Sequence, residues 1–247
     1  MRSREHNVFA MLMAIAPTSI FCGGYDMDKL NNKIRGIIGN CSEAIWSVAD
    51  IAYSDYKEVY TKAIVIAQSY NCFIINEAYD EEQYHQIMSV AKITINEKIS
   101  RLSRLFSQYR IKNYIPAVTQ SDESELVAPF SLKYAAVQAG LGWIGKNDVL
   151  VTKEFGPRVR LAAILLDYPL ACGSPIGKSL CGPCRACVAA CPWGLITGVN
   201  WELTTKRAEL LDYQMCNKKR SEYVKHKSRK HTCGYCLLAC PWGLNKR

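Results

Sequence analysis

The last quarter of the chain is governed by its cysteines. Cys181, Cys184, Cys187 and Cys191 follow C-x2-C-x2-C-x3-C with Pro192 next, and Cys233, Cys236 and Cys240 follow C-x2-C-x3-C with Pro241 next, with Cys216 between the two groups. The groups also repeat: Cys187 to Leu195 is C-V-A-A-C-P-W-G-L and Cys236 to Leu244 is C-L-L-A-C-P-W-G-L. Two copies of one unit imply a pseudo-twofold pair of ligand-bearing turns. Thiols crowded at two-residue spacing hold metal, whereas disulfide scaffolds are usually short secreted chains, so 12 cysteines in 247 residues point to reduced thiols in a cytoplasm.

The first run is the bacterial ferredoxin pattern, in which three closely spaced thiolates bind three irons of a 4Fe-4S cubane and the fourth cysteine crosses to the other cluster. On that logic cluster 1 takes Cys181, Cys184, Cys187 and Cys240, and cluster 2 takes Cys191, Cys216, Cys233 and Cys236. Zinc is the competing reading, since C-x2-C pairs also build zinc ribbons. It needs four ligands per ion and has no use for a third cysteine at the same spacing or for the cysteine-proline endings. Trp193 and Trp242, at matching places in the repeat, are expected to pack over the clusters, core packing being the alternative. The remaining Cys22, Cys41, Cys72 and Cys172 read as small buried apolar residues. His6, His85, His226 and His231 show no metal-binding spacing.

Ahead of the cysteines the chain reads as a mixed helix and sheet domain. Residues 28–41 predict a helix, Ala63 to Ala67 a buried strand, 81–108 one or two long helices, 113–129 a loop, Phe130 to Ala139 a helix stopped by Gly140, and Val149 to Thr152 and Arg158 to Leu166 two strands. Gly140 to Lys146, G-L-G-W-I-G-K, contains a formal G-x-G-x-x-G. A dinucleotide site requires a strand before the glycines and a helix after them; here the order is reversed, which favours a tight connection. The domains are therefore expected at 27–169 and 170–247, after an N-terminal extension of 1–26. Arg2, Arg4 and the apolar run Val8 to Ile15 superficially resemble a secretion signal, but Pro17 interrupts it and no A-x-A site follows, and Met27 is a candidate start. No membrane association is expected. The net charge of +9 is densest at Lys218, Lys219, Arg220, Lys225, Lys227, Arg229 and Lys230, which suits either a solvated face compensating anionic clusters or a polyanion-binding patch.

G-L-G-W-I-G-K-N at Gly140 to Asn147, L-V-T-K-E-F-G-P-R-V-R-L after it and the eight-cysteine pattern together resemble the epoxyqueuosine reductase family and its short relatives, which are related to reductive dehalogenases. The resemblance implies an α+β chain, with a nitroreductase-like cobalamin-binding-type domain followed by a ferredoxin-like two-cluster domain. It also implies a reductase whose clusters pass electrons from an external low-potential donor to a cobalamin, removing oxygen from epoxyqueuosine in transfer RNA, or oxygen or halide from a small molecule. Two departures qualify it. The family's general acid is an aspartate in a D-S-A-P-like segment; Leu126 stands there, so Glu125, Asp122 or Tyr134 would have to replace it, or the substrate differs. Longer members continue past the last cluster motif into a helical-repeat domain that helps grip transfer RNA, whereas this sequence ends at Arg247, which lowers the expectation of that substrate. The alternatives are a non-catalytic electron-transfer or corrinoid-reactivating partner and, more weakly, an RNA-binding protein with structural clusters.

Overall fold

A computed structural model describes residues 27–39, 41–70, 81–117, 128–226 and 233–244. Its centre is a four-stranded antiparallel sheet in the order β1-β2-β6-β3, built from β1 (Ala44–Asp50), β2 (Lys62–Ser69), β3 (Asn113–Tyr114) and β6 (Val159–Leu166). The side-chain period of two sorts the central strands cleanly. Ile64, Ile66, Ile164 and Leu166 enter one core with Leu30, Ile34 and Ile38 of α1 (Met27–Ile38) and Ile95, Ile99, Leu102 and Phe106 of α2 (Glu81–Gln108). Ala63, Val65, Ala67, Ala163 and Leu165 face the other way. Burying each large aliphatic side chain contributes about 2 kcal/mol, so this alternation fixes the register.

The second face is lined by alanines, and that lets α3 (Leu132–Gln138) lie close on it through Ala135, Ala136 and Ala139. Ser131 caps α3 by accepting the Tyr134 N–H at 3.3 Å, so the helix starts two residues later than the apolar pattern suggests. It stops where Gly140 takes φ +74°, a conformation that favours glycine, and a Cβ there would meet the Ser174 carbonyl. The segment after it folds back as a small hairpin, β4 (Trp143–Ile144) with β5 (Leu150–Val151), which the glycine motif does not advertise.

The same core continues into the cysteine-rich part. Ile196, Trp201, Leu210 and Leu211 belong to it, and Cys187, Cys191, Cys216 and Cys236 pack against it. That part holds α4 (Ala186–Ala189), α5 (Arg207–Leu210), α6 (Tyr213–His226) and α7 (Tyr235–Leu238), and α4 packs on α7 as a pseudo-twofold pair. Sequence and structure also differ in that β1 carries no predicted strand signal and the expected 113–129 loop opens with the short β3, whereas 81–108 forms a single helix as one of the two expected arrangements. Among the described residues no helix is long and apolar enough to cross a membrane.

Candidate two-cluster redox site

The eight cysteines divide between two cavities. One, narrow at about 20 Å³, is lined by Cys181, Cys184, Cys187 and Cys240, with Trp242 and Lys146 among its walls. The other, about 270 Å³, is lined by Cys191, Cys216, Cys233 and Cys236, with Trp193, Arg207 and Arg220. The thiols' electrostatic neighbours follow nearly the same division. Burial is the main cause that pushes Cys240 up to about 11 and Cys236 up to about 12; Cys240 also feels Cys181 and Cys187, and Cys236 feels Cys233 and Cys216 with a smaller effect from Cys187. Cys233 likewise is raised by burial and then by Cys216 and Cys191.

Among the described residues no three His, Cys, Asp or Glu side chains could hold a single ion. A cubane asks for a different geometry, four thiolates spread around one body with each on its own iron. The wider cavity also shows a need for an anionic occupant. Arg220 Nε is buried without a hydrogen-bond partner, and Arg220 favours the thiolate forms of Cys216 and Cys233. The donor sets and this orphaned donor fit two 4Fe-4S groups.

The segment Trp143–Asp148 clamps these cavities from the sheet domain. Trp143 Nε1 donates to Cys181 Sγ at 3.4 Å, Lys146 Nζ donates to the carbonyls of Gly182 at 2.8 Å and Cys184 at 2.9 Å, and Asn147 Nδ2 donates to the Cys236 carbonyl at 3.2 Å. Buried Arg158 at the head of β6 donates to the carbonyls of Leu237, Cys240 and Trp242. Gly156 and Gly243, both at positive φ, meet so closely that a Cβ on either would strike the other segment's backbone. The glycine motif is thus a docking platform for the cysteine turns. Cation compensation expected from the run at 218–230 comes partly from Arg220, while Lys218 is exposed and Lys219 pairs with Glu222 at 3.3 Å; the narrow cavity uses Lys146 and Arg158 instead. Lys227, Arg229 and Lys230 lie outside the described residues.

A third cavity, about 520 Å³, adjoins the second. Tyr53, Phe130, Tyr134 and Trp201 give it aromatic walls, and Lys133, Asp148 and Arg207 line both cavities. Asp148, buried at φ +58°, accepts from Lys133 Nζ at 2.6 Å and from Arg207 Nε at 2.7 Å. Burial lowers the Lys133 pKa; Asp148 opposes the shift and Arg207 adds to it. Tyr134 packs edge-on to Tyr53 at 4.7 Å, and Tyr53 has its pKa raised by burial and by Tyr134.

Of the expected residues, the structure gathers all eight cysteines and lines the third cavity with Tyr134, while Asp122, Glu125 and Leu126 lie outside the described residues. Trp193 and Trp242 each line one cysteine cavity, with Trp242 edge-on to Trp143 at 4.8 Å. The expectation for Cys41 and Cys172 is corrected: both are exposed, because each sits in a connection at the rim of the sheet domain. Cys22 and Cys72 lie outside the described residues. Lys133, Lys146, Asn147, Asp148, Arg158 and Arg207 escaped sequence reasoning. The available signal was the run of polar residues K-N-D directly after a glycine turn.

Residues 180–243 match the family described as 4Fe-4S double cluster binding domain. Curated epoxyqueuosine reductases are similar: that of Atelocyanobacterium thalassa is 29% identical over 167 residues, 68% of this chain and 48% of the relative, and that of Leadbetterella byssophila is 44% identical over 70 residues, 28% of this chain and 23% of the relative. A crystal structure of selenomethionine-labelled epoxyqueuosine reductase superposes with a TM-score of 0.55 at 18% identity, covering 89% of this chain and 66% of that one. The chain is thus similar to epoxyqueuosine reductases in sequence and in fold. A reductive dehalogenase structure described as suggesting a mechanism for B12-dependent dehalogenation aligns with a TM-score of 0.59 at 20% identity, over 76% of this chain and 26% of that one. The fold is therefore the one these two structures share, with a double-cluster match over residues 180–243. The chain spans less than half the length of the two curated relatives named.

Proposed function

We propose that this chain is a cytoplasmic iron-sulfur reductase that carries electrons in series from an external low-potential donor, through cluster 1 and then cluster 2, to a corrinoid in the third cavity. The expected cluster ligands are Cys181, Cys184, Cys187 and Cys240, and Cys191, Cys216, Cys233 and Cys236. In this reading residues 27–169 form the catalytic-type domain and 170–247 the electron-delivering one.

The carrying observation is the serial adjacency of the cavities. Asn147 lines both cysteine cavities, and Lys133, Asp148 and Arg207 line both the second cysteine cavity and the aromatic one. A cavity of about 520 Å³ with flat aromatic walls and few polar groups suits a large planar cofactor. When bound, a corrinoid supplies the reductive cleavage of a carbon–oxygen or carbon–halogen bond.

The substrate class we favour is an epoxide, such as epoxyqueuosine in transfer RNA. A related epoxyqueuosine reductase was crystallised with an epoxyqueuosine-modified tRNA-Tyr stem loop, at 18% identity to this chain. Converting an epoxide to an alkene takes two electrons and two protons and releases water. The departing oxygen needs a proton source, and Lys133 supplies one. Within this trio the transferable proton sits on Lys133, whose charged form is disfavoured by desolvation. Its loss leaves Asp148 and Arg207 as a neutral pair. Anaerobic purification with iron, sulfide and corrin quantification, followed by assay on epoxyqueuosine-containing tRNA, tests the reading. Retained corrin with alkene formation supports it. Clusters without corrin, in a chain that reduces a separate corrinoid protein, would instead favour the electron-transfer partner.

A further inference from the structure

We propose that Trp143 is the hydrogen-bond donor that sets the reduction potential of cluster 1. The inference rests on the ligand assignment above and reaches beyond it, because it concerns a residue that binds no iron.

Trp143 is fully buried, its backbone is paired with Val151 in the β4–β5 hairpin, and its ring is held edge-on against Trp242. An indole N–H can only donate, and a buried donor requires an acceptor. The acceptor here is Cys181 Sγ at 3.4 Å. Asn147, four residues on, is also buried and donates to the Cys236 carbonyl rather than to a sulfur.

A reduced cluster carries one more negative charge than an oxidised one, and that charge spreads onto the coordinating sulfurs. An N–H aimed at such a sulfur binds the reduced state more strongly and raises the potential. The same short segment lines all three cavities through Asn147 and Asp148.

The test is an anaerobic redox titration of the full chain, followed by electron paramagnetic resonance, on wild type and Trp143→Phe. In W143F one of the two transitions should move to lower potential, with the reduced fraction of that cluster several-fold smaller at the wild-type midpoint. The other transition should stay in place. Unmoved transitions in a W143F variant that retains both clusters overturn the proposal, as does an equal shift of both. Should W143F fail to fold, pulsed resonance on protein labelled with ¹⁵N-tryptophan provides the second reading. Nitrogen coupling to one reduced cluster must persist in W193F and W242F, and its absence is equally fatal. Loss of the cluster reading itself would look different: wild type would lack about eight irons and eight sulfides per chain.

Discussion

The two copies of the C-x3-C-P-W-G-L unit are nearly identical in sequence and sit in unlike surroundings. The second copy is pressed into the sheet domain, with Gly243 against Gly156, Trp242 against Trp143 and three of its carbonyls held by Arg158. The first copy is open: a Cβ on Gly194 would meet nothing within 4 Å, and Arg220 leaves one N–H without a partner in the cavity beneath. Each copy, through its last cysteine, serves the cavity of the other. The repeat therefore sets what ligates, while the environment sets how tightly each site is held and where its charge is balanced.

The largest effect tests the crossing of ligands. Cys240→Ser should empty the site of cluster 1 and halve the iron from about eight to about four per chain, and the surviving cluster should be insensitive to W143F. Cys191→Ser should spare the other cluster instead. Survival of the W143F-sensitive cluster in C240S would break the crossed assignment. Next, Lys133→Met should lower turnover on an epoxide by about 10²–10⁴-fold with iron content and both potentials unchanged. Full turnover in K133M would return the proton to the 118–127 segment or to Tyr134.

Smaller effects sharpen the contrast in packing. Arg158→Met strands three carbonyls and should cost about 3 kcal/mol in chemical denaturation, whereas Arg220→Met, whose guanidinium bonds Asn217 at 3.1 Å, should cost about 1 kcal/mol or less. The smallest effect is a pH dependence of the metal-free, reduced protein. Cys236 and Cys240 titrate at about 12 and about 11 in the fold against an ordinary 9.0, so the folded state holds their protons more tightly than the unfolded state. The stability they contribute is complete below pH 9 and is lost as pH climbs towards 11 and 12. Between pH 8 and about 9.5, before lysines discharge, apo wild type should begin to weaken relative to a C236S/C240S variant. Parallel curves would show that burial of these thiols is not what separates them.

Much of this was legible in the chain. The periodicity of Met27–Ile38 and Glu81–Gln108 and the apolar runs of β2 and β6 announced the sheet and its helices, since each element buries a face whose spacing is local. Ala44–Asp50 did not announce itself, because Trp46 and Ser47 are half-buried where alternation calls for a clean contrast. The cysteine turns were legible for a chemical reason: iron–thiolate ligation demands fixed short spacings, and a repeat makes them visible twice.

What the linear sequence determined by itself is the close spacing and twofold repeat of the cysteine runs, because short gaps along the chain need no distant partner. Tertiary structure alone decided the rest of the site. Asn147 meets Cys236 across 89 positions and Arg158 meets Trp242 across 84, and Asp148 joins Lys133 on α3 to Arg207 on α5. Hydrogen bonds and buried charges depend on proximity in space, and no local pattern encodes which donor the folded sheet will bring to which sulfur.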